Sequence, residues 1–174
     1  MLFVMTLGIF VVISYAIILF NVLGNYEIEG LGYYLDSPYW LTTPRDTRIM
    51  TIVFQLLAGV GYLYWIFWTA SKNDFTGPLQ YRYTKFYVVT IFISSSALWP
   101  YFAYKYLLLP TIYRSIYASV PLWISALSVI LMLAFTFETH ANFLPTLSIL
   151  LLSVVVVLFD GIGWSALCIK EATH

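Results

Sequence analysis

Charged residues are scarce in this chain of 174 residues: they make up 9% of it, where an ordinary soluble domain carries roughly a quarter. The eight basic and eight acidic side chains cancel, which removes the basis for a nucleic-acid groove or a polybasic surface. A single cysteine, Cys168, excludes an internal disulfide, a zinc cluster or a thiol redox pair. Histidine is limited to His140 and His174, too few in one chain for a haem held by two intramembrane histidines or for a multi-histidine metal centre. Glycine-rich phosphate loops, paired-carboxylate motifs and nucleophile elbows are missing as well. No catalytic or metal-ligating set is therefore expected.

What the chain has instead is apolar surface. Apolar side chains account for 61% of it and aromatic ones for 20%, with a mean hydropathy of +0.87. No charge interrupts residues 1–26, 49–71, 86–104 or 115–137, and 141–169 holds one, Asp160. A bilayer-spanning helix needs about 20 mostly apolar residues. The expected fold is thus an all-α integral membrane protein, a single bundle of five transmembrane helices over roughly 2–22, 49–70, 85–107, 113–137 and 144–168. The first run has no basic start and no Ala-x-Ala site, and its apolar stretch is too long for a signal peptide, so it reads as a retained helix.

Arg45, Arg48, Lys105, Arg114 and Lys170 fall on one side of this bundle and Lys72, Arg82 and Lys85 on the other. The positive-inside bias then sets the C-terminus on the cytoplasmic side and the N-terminus outside. Tyr33, Tyr34, Tyr39, Trp40, Trp65, Trp68, Tyr81, Tyr83, Tyr104 and Tyr106 gather near span ends, where amphipathic rings prefer the interface. The long connection is residues 23–48, broken by Gly24, Gly30, Gly32, Pro38 and Pro44; long structured loops are disproportionately functional. The later loops are short enough to join antiparallel neighbours.

Asp160 is the ionisable group inside a predicted span, where a lone carboxylate costs a few kcal/mol and should face the bundle interior. At 3.6 residues per turn Ser153, Asp160 and Trp164 share a face, offering a hydroxyl and an indole N–H as partners. Two roles are open: a ligand anchor or proton site, and a neutral acid that ties span five to a neighbour. Span two carries Gly61, Trp65 and Trp68 on one stripe, and span three carries Phe92, Ser96, Trp99 and Ala103 on another. Stripes of this kind are more often packing than a ligand box. Pro100 after Trp99 predicts a bend, and a bent span bearing Ser94, Ser95, Ser96, Trp99 and Tyr101 makes a wall for a flat apolar ligand with few polar atoms. A hydrolase built from Thr42 or Thr43 with His140 as base is disfavoured, because the topology separates their loops across the membrane.

Leu35-Asp36-Ser37-Pro38-Tyr39-Trp40 resembles the Leu-x-Lys-Pro-x-Trp signature of the translocator protein family, the tryptophan-rich sensory proteins. Gly61-Tyr62 followed by Trp68 is similar to that family's Gly-Tyr-x-x-x-x-x-Trp. The Phe75-Thr76 loop and Ala97-Leu98-Trp99-Pro100 resemble its next loop and its span-three Trp-Pro. The similarities run in order over residues 31–102. Ser37 stands where the family has lysine, Thr43-Pro44 where it has Pro-Pro, and Ser96 where it has asparagine. The resemblance implies a five-span fold whose first loop caps a pocket, ligands of the tetrapyrrole or sterol class, and a homodimer. Trp40 would belong to the cap, and Trp68 and Trp99 would line the cavity. Asp160 has no counterpart in the family.

The expected function is a membrane-embedded binding protein or translocator for planar hydrophobic ligands, with a bound porphyrin or sterol. Trp40, Trp65, Trp68, Ser96, Trp99, Tyr101, Asp160 and Trp164 are its candidate ligand-binding residues. Its expected partners are the lipid bilayer, the ligand, and a second copy or a membrane complex, with no nucleic acid. The alternative is a non-catalytic structural subunit of a multi-subunit membrane complex, whose aromatic surface its neighbours bury.

Overall fold

The computed structural model describes residues 40–71, 79–139 and 141–173, with backbone alone over 70–71 and 79–85. Every regular element among them is helical: α1 Arg45–Ser71, α2 Leu79–Leu108, α3 Ile112–Glu138, α4 Phe143–Ser153 and α5 Ser165–Ala172. A π-helical stretch, Val154–Trp164, joins α4 to α5 without a break. Four stretches are long and apolar enough to cross a bilayer: Arg45–Thr69, Phe86–Leu108, Ile112–Glu138 and Phe143–Ala172. The chain is a multi-pass α-helical membrane protein. The expected span over 2–22, the loop up to Tyr39, the 72–78 loop, His140 and His174 lie outside the described residues.

Three helix ends extend past the charge-free runs, one of them the start of α2, at Leu79 rather than 85, which takes in Arg82 and Lys85. α1 starts at Arg45 rather than 49, and the last span runs on to Ala172 rather than 168. Charges are tolerated, even favoured, in a helix's terminal turns: Asp46 sits in the first turn of α1 and Lys170 in the last turn of α5, each matching the helix dipole. Pro44 opens α1 by accepting the amide N–H of Arg48 at 3.0 Å, while Arg48 Nε donates to the Thr43 carbonyl at 2.6 Å. α2 runs through Pro100 as one continuous helix. Only Leu109–Thr111 separates it from α3, whose first turn is capped by the Thr111 hydroxyl accepting from Arg114 N.

α3 is the central helix. It packs on α2 and on the whole of the last span, while α1 lies against α4. Burial follows this order, since 44% of the α3 span is enclosed against 22% of α1. α1 and α2 meet through side chains, with the Tyr62 and Phe92 rings edge to face at 5.4 Å.

Lipid is as apolar as leucine, so helices in a bilayer associate by close packing and hydrogen bonds rather than by hydrophobic burial. The sequence meets this demand with small side chains. The buried face of α3 carries Ser115, Ala118, Ser119, Ser125, Ala126 and Ser128. Several of these hydroxyls bond within their own helix, Ser119 to the Ser115 carbonyl and Ser128 to that of Ile124, and so pack as small satisfied groups. On α1, Gly61 approaches α4 closely: a Cβ there would lie 3.1 Å from the Ser148 carbonyl oxygen. Large apolar residues point outward, Leu56 and Val60 of α1 being 67% and 69% exposed, as a lipid-facing surface requires.

Side-chain bonds then lock the helices in register. At one end the buried Trp65 indole of α1 donates to Thr136 Oγ1 of α3 at 2.9 Å. At the other end, which holds the start of α1 and α3 and the end of α2 and α5, the Tyr106 hydroxyl donates to the Cys168 carbonyl at 3.0 Å. Between them Trp123 Nε1 donates to the Gly161 carbonyl at 3.0 Å.

Candidate functional site

α2 and the last span run in the same direction, so their aromatic residues meet at matching depths. The Trp99 and Trp164 rings pack edge to face at 5.4 Å and 85°, and the Tyr106 ring approaches Trp164 at 6.3 Å and 74°. Tyr106, Ala118 and Cys168 form the buried centre of this end, and Phe102, Trp164 and Leu41 pack against it. Leu41 holds a φ of 49°, a left-handed conformation that costs a leucine about 1–2 kcal/mol. Its packing into the cluster offsets that cost and brings the neighbouring Trp40, at the end of the first loop, to the aromatic end of the bundle.

One turn deeper lies a polar layer. Ser95 Oγ and Ser125 Oγ are 2.7 Å apart across α2 and α3, and Ser96 Oγ is 3.3 Å from Ser125 Oγ. Trp164 matches Trp99 in depth, so Asp160, four positions earlier, comes level with Ser95 and Ser96. The Trp123–Gly161 bond sets the same level on α3.

The backbone at Asp160 is wound as a π-helix, a form frequent at functional sites. Glycine permits it. A Cβ on Gly161 would sit 3.0 Å from the Val156 carbonyl oxygen and one on Gly163 would sit 3.2 Å from that of Leu158, each five residues back. Gly161 also faces Ala126, whose Cβ would be 3.3 Å away.

This winding and the bonds around it correct the expected surroundings of Asp160. Ser153 Oγ donates to the Ile149 carbonyl at 2.7 Å and Trp164 packs on Trp99 and Tyr106. Neither holds the carboxyl group. The π stretch turns roughly 80° per residue instead of 100°, so seven residues leave Ser153 and Asp160 about half a turn out of phase. The Asp160 side chain is partly buried and its carboxyl makes no hydrogen bond or ion pair among the described residues; the one bond at this residue goes from Ser165 Oγ to the backbone carbonyl, at 3.5 Å.

The expected ligand residues divide into two groups. Ser96, Trp99, Asp160 and Trp164 share the half of the bundle that Trp40 adjoins. Trp65 is at the other end, 3% exposed and bonded to Thr136, and Trp68 packs against the same apolar core there. Tyr101 points outward, 51% exposed, with the Lys105 ammonium 5.6 Å from its ring centre. Trp65 is thus a packing anchor, and Tyr101 belongs to the outer surface. Two contributors escaped the sequence reading. Tyr106 looked like an interfacial ring, although its seven-residue spacing from Trp99 puts both on one helix face. Ser125 is a hydroxyl amid the apolar run of α3, and its match with Ser95 needs the pairing of two helices.

No family model, curated protein or solved structure matches the chain. The site is therefore read from its own chemistry. Aromatic edges and faces suit a flat apolar body, the hydroxyl layer suits few polar atoms, and one carboxyl group has no bond among the described residues.

Proposed function

We propose that the chain is a membrane-embedded binding protein or translocator for planar hydrophobic molecules of the tetrapyrrole or sterol type. The ligand lies between α2 and the last span, beneath the loop that ends at Trp40. The observation that carries this reading is the convergence of Trp99, Trp164 and Tyr106 at the end against which Leu41 docks. An aromatic wall inside the bundle is what a flat ligand entering from lipid needs. The resemblance of Leu35–Trp40, Gly61–Trp68 and Ala97–Pro100 to the translocator protein family supports the same reading, with a first span over 2–22 completing a five-helix bundle and a second copy as partner. The end bearing Arg45, Arg48, Lys105, Arg114 and Lys170 faces the cytoplasm under the positive-inside rule, with the N-terminus outside.

Titration of the purified protein in detergent with a porphyrin lacking carboxylate groups, followed by intrinsic tryptophan fluorescence, tests the proposal. Saturable quenching that a sterol competes away is expected, with most of it lost in Trp99→Phe and retained in Trp65→Phe. Linear, unsaturable quenching with no sterol competition counts against the pocket.

A second reading, a non-catalytic subunit of a larger membrane assembly, draws on α1: its span is 22% buried, and Tyr64 and Phe67 stand outward on it. Migration with many other chains on a native gel after mild extraction favours that reading. A discrete small oligomer favours the binding protein.

A further inference from the structure

We infer that the occupant of this site is a flat organic cation, its aromatic body against Trp99 and Trp164 and its positive nitrogen at the Asp160 carboxylate. The inference rests on the proposed ligand site and narrows its ligand class.

The argument starts from charge. A carboxyl inside a bilayer either protonates or ionises against a counter-charge close by. None comes from the described helices: α1 carries no charged residue between Arg48 and Ser71, α2 none between Phe86 and Tyr104, and α3 none between Arg114 and Glu138. Within the last span the nearest cation is Lys170, ten residues on and about 15 Å away along the helix. Hydrogen bonds do not replace it, since the Ser95, Ser96 and Ser125 hydroxyls at the same depth are engaged with one another, and Ser95 donates back to the Ile91 carbonyl at 2.8 Å.

Geometry adds the second half. Asp160 and Trp164 are four residues apart, which keeps them on one face whether the helix is wound as α or as π. The carboxyl therefore stands one turn below a cluster of three electron-rich rings. A carboxylate beside aromatic faces is the arrangement that holds ammonium and other organic cations, because the ring quadrupoles and the carboxylate attract the same charge. Asp160 is only partly buried, so part of the residue stays open to a ligand. Molecules of the same shape bearing carboxylates are repelled by the same group.

The test uses the full chain in nanodiscs of zwitterionic phosphatidylcholine, with 10-methylacridinium as the flat cation and 9-methylanthracene as the neutral three-ring counterpart. Affinities are measured by quenching and expressed per lipid to correct for partitioning. Wild type is expected to bind the acridinium at least about tenfold more tightly than the anthracene. Asp160→Asn should abolish that preference and leave anthracene binding in place, and Asp160→Glu should keep it. Equal affinities in wild type, or a preference that survives Asp160→Asn, overturns the cation assignment while leaving the aromatic pocket intact. Binding of neither probe overturns the pocket and the assignment together. The wild-type comparison needs no variant, so it decides the matter even if Asp160→Asn does not fold.

Discussion

The bond between Trp65 and Thr136 is the contact best suited to a quantitative test, because it joins the peripheral helix to the central one. The indole N–H reaches Thr136 Oγ1 at 2.9 Å, the ring is 3% exposed, and the threonine hydroxyl in turn donates to the Met132 carbonyl at 2.8 Å. Thr136→Val keeps the shape and removes the acceptor, leaving a buried N–H with no partner. In water such a loss costs about 1–3 kcal/mol. In a bilayer the unfolded reference state also finds partners, so cross-helix bonds average about 0.6 and reach about 1.7 kcal/mol. The enclosure of Trp65 puts this one toward the top of that range. Trp65→Phe removes the same bond but adds a cavity, so only the double-mutant cycle isolates the contact. Reversible unfolding in mixed micelles should yield a coupling energy of about 1–1.5 kcal/mol. A coupling indistinguishable from zero, with Thr136→Val as stable as wild type, would refute the account of Trp65 as the tie between α1 and α3.

The two glycines of α1 should respond in opposite ways, read from thermal melts followed by helical ellipticity. Gly61→Val drives a side chain into the Ser148 backbone and should cost about 1–3 kcal/mol, whereas Gly59→Ala meets nothing within 4 Å and should gain up to about 1 kcal/mol from helix propensity. The same sign for both would mean that α1 does not pack on α4 along the Gly61 face. Tyr106→Phe should cost about 0.5–1.5 kcal/mol and speed amide exchange in α5, whose Cys168 carbonyl loses its donor; unchanged exchange there would show that the bond does not hold the helix end.

Four membrane-crossing helices were legible in the sequence because their signal is a sum over about 20 residues, which no single side chain upsets. Their ends were less so. Arg45, Asp46 and Lys170 lie inside terminal turns, and a count that stops at the first charge stops short. The surroundings of Asp160 were not legible at all, because assigning Ser153 to its face assumed 3.6 residues per turn through a stretch wound otherwise. Gly161 and Gly163 were visible as sites of close approach, yet a bend, a close crossing and a change of winding make the same demand on composition. Trp65, Trp99 and Trp164 were singled out alike, yet Trp65 lies at the opposite end of the bundle, bonded to Thr136. Which indole finds a protein acceptor depends on helix pairing, and periodicity along one helix does not carry that information.

The π stretch also bears on what lengths of chain this span can take. Its eleven residues turn through roughly the angle that nine cover in an α-helix. Ser148 meets Gly61 of α1 before it, and Cys168 meets Tyr106 of α2 after it. Two residues removed from between Val154 and Trp164, with the remainder rewound as α-helix, would leave both of those meetings in phase. Two residues removed from α3 would swing everything beyond the cut by more than half a turn and tear Thr136 from Trp65. The last span thus holds a reserve of slack in its middle, and a chain shortened there could keep its helix pairing while losing the wide turn that sets Asp160 beside the rings.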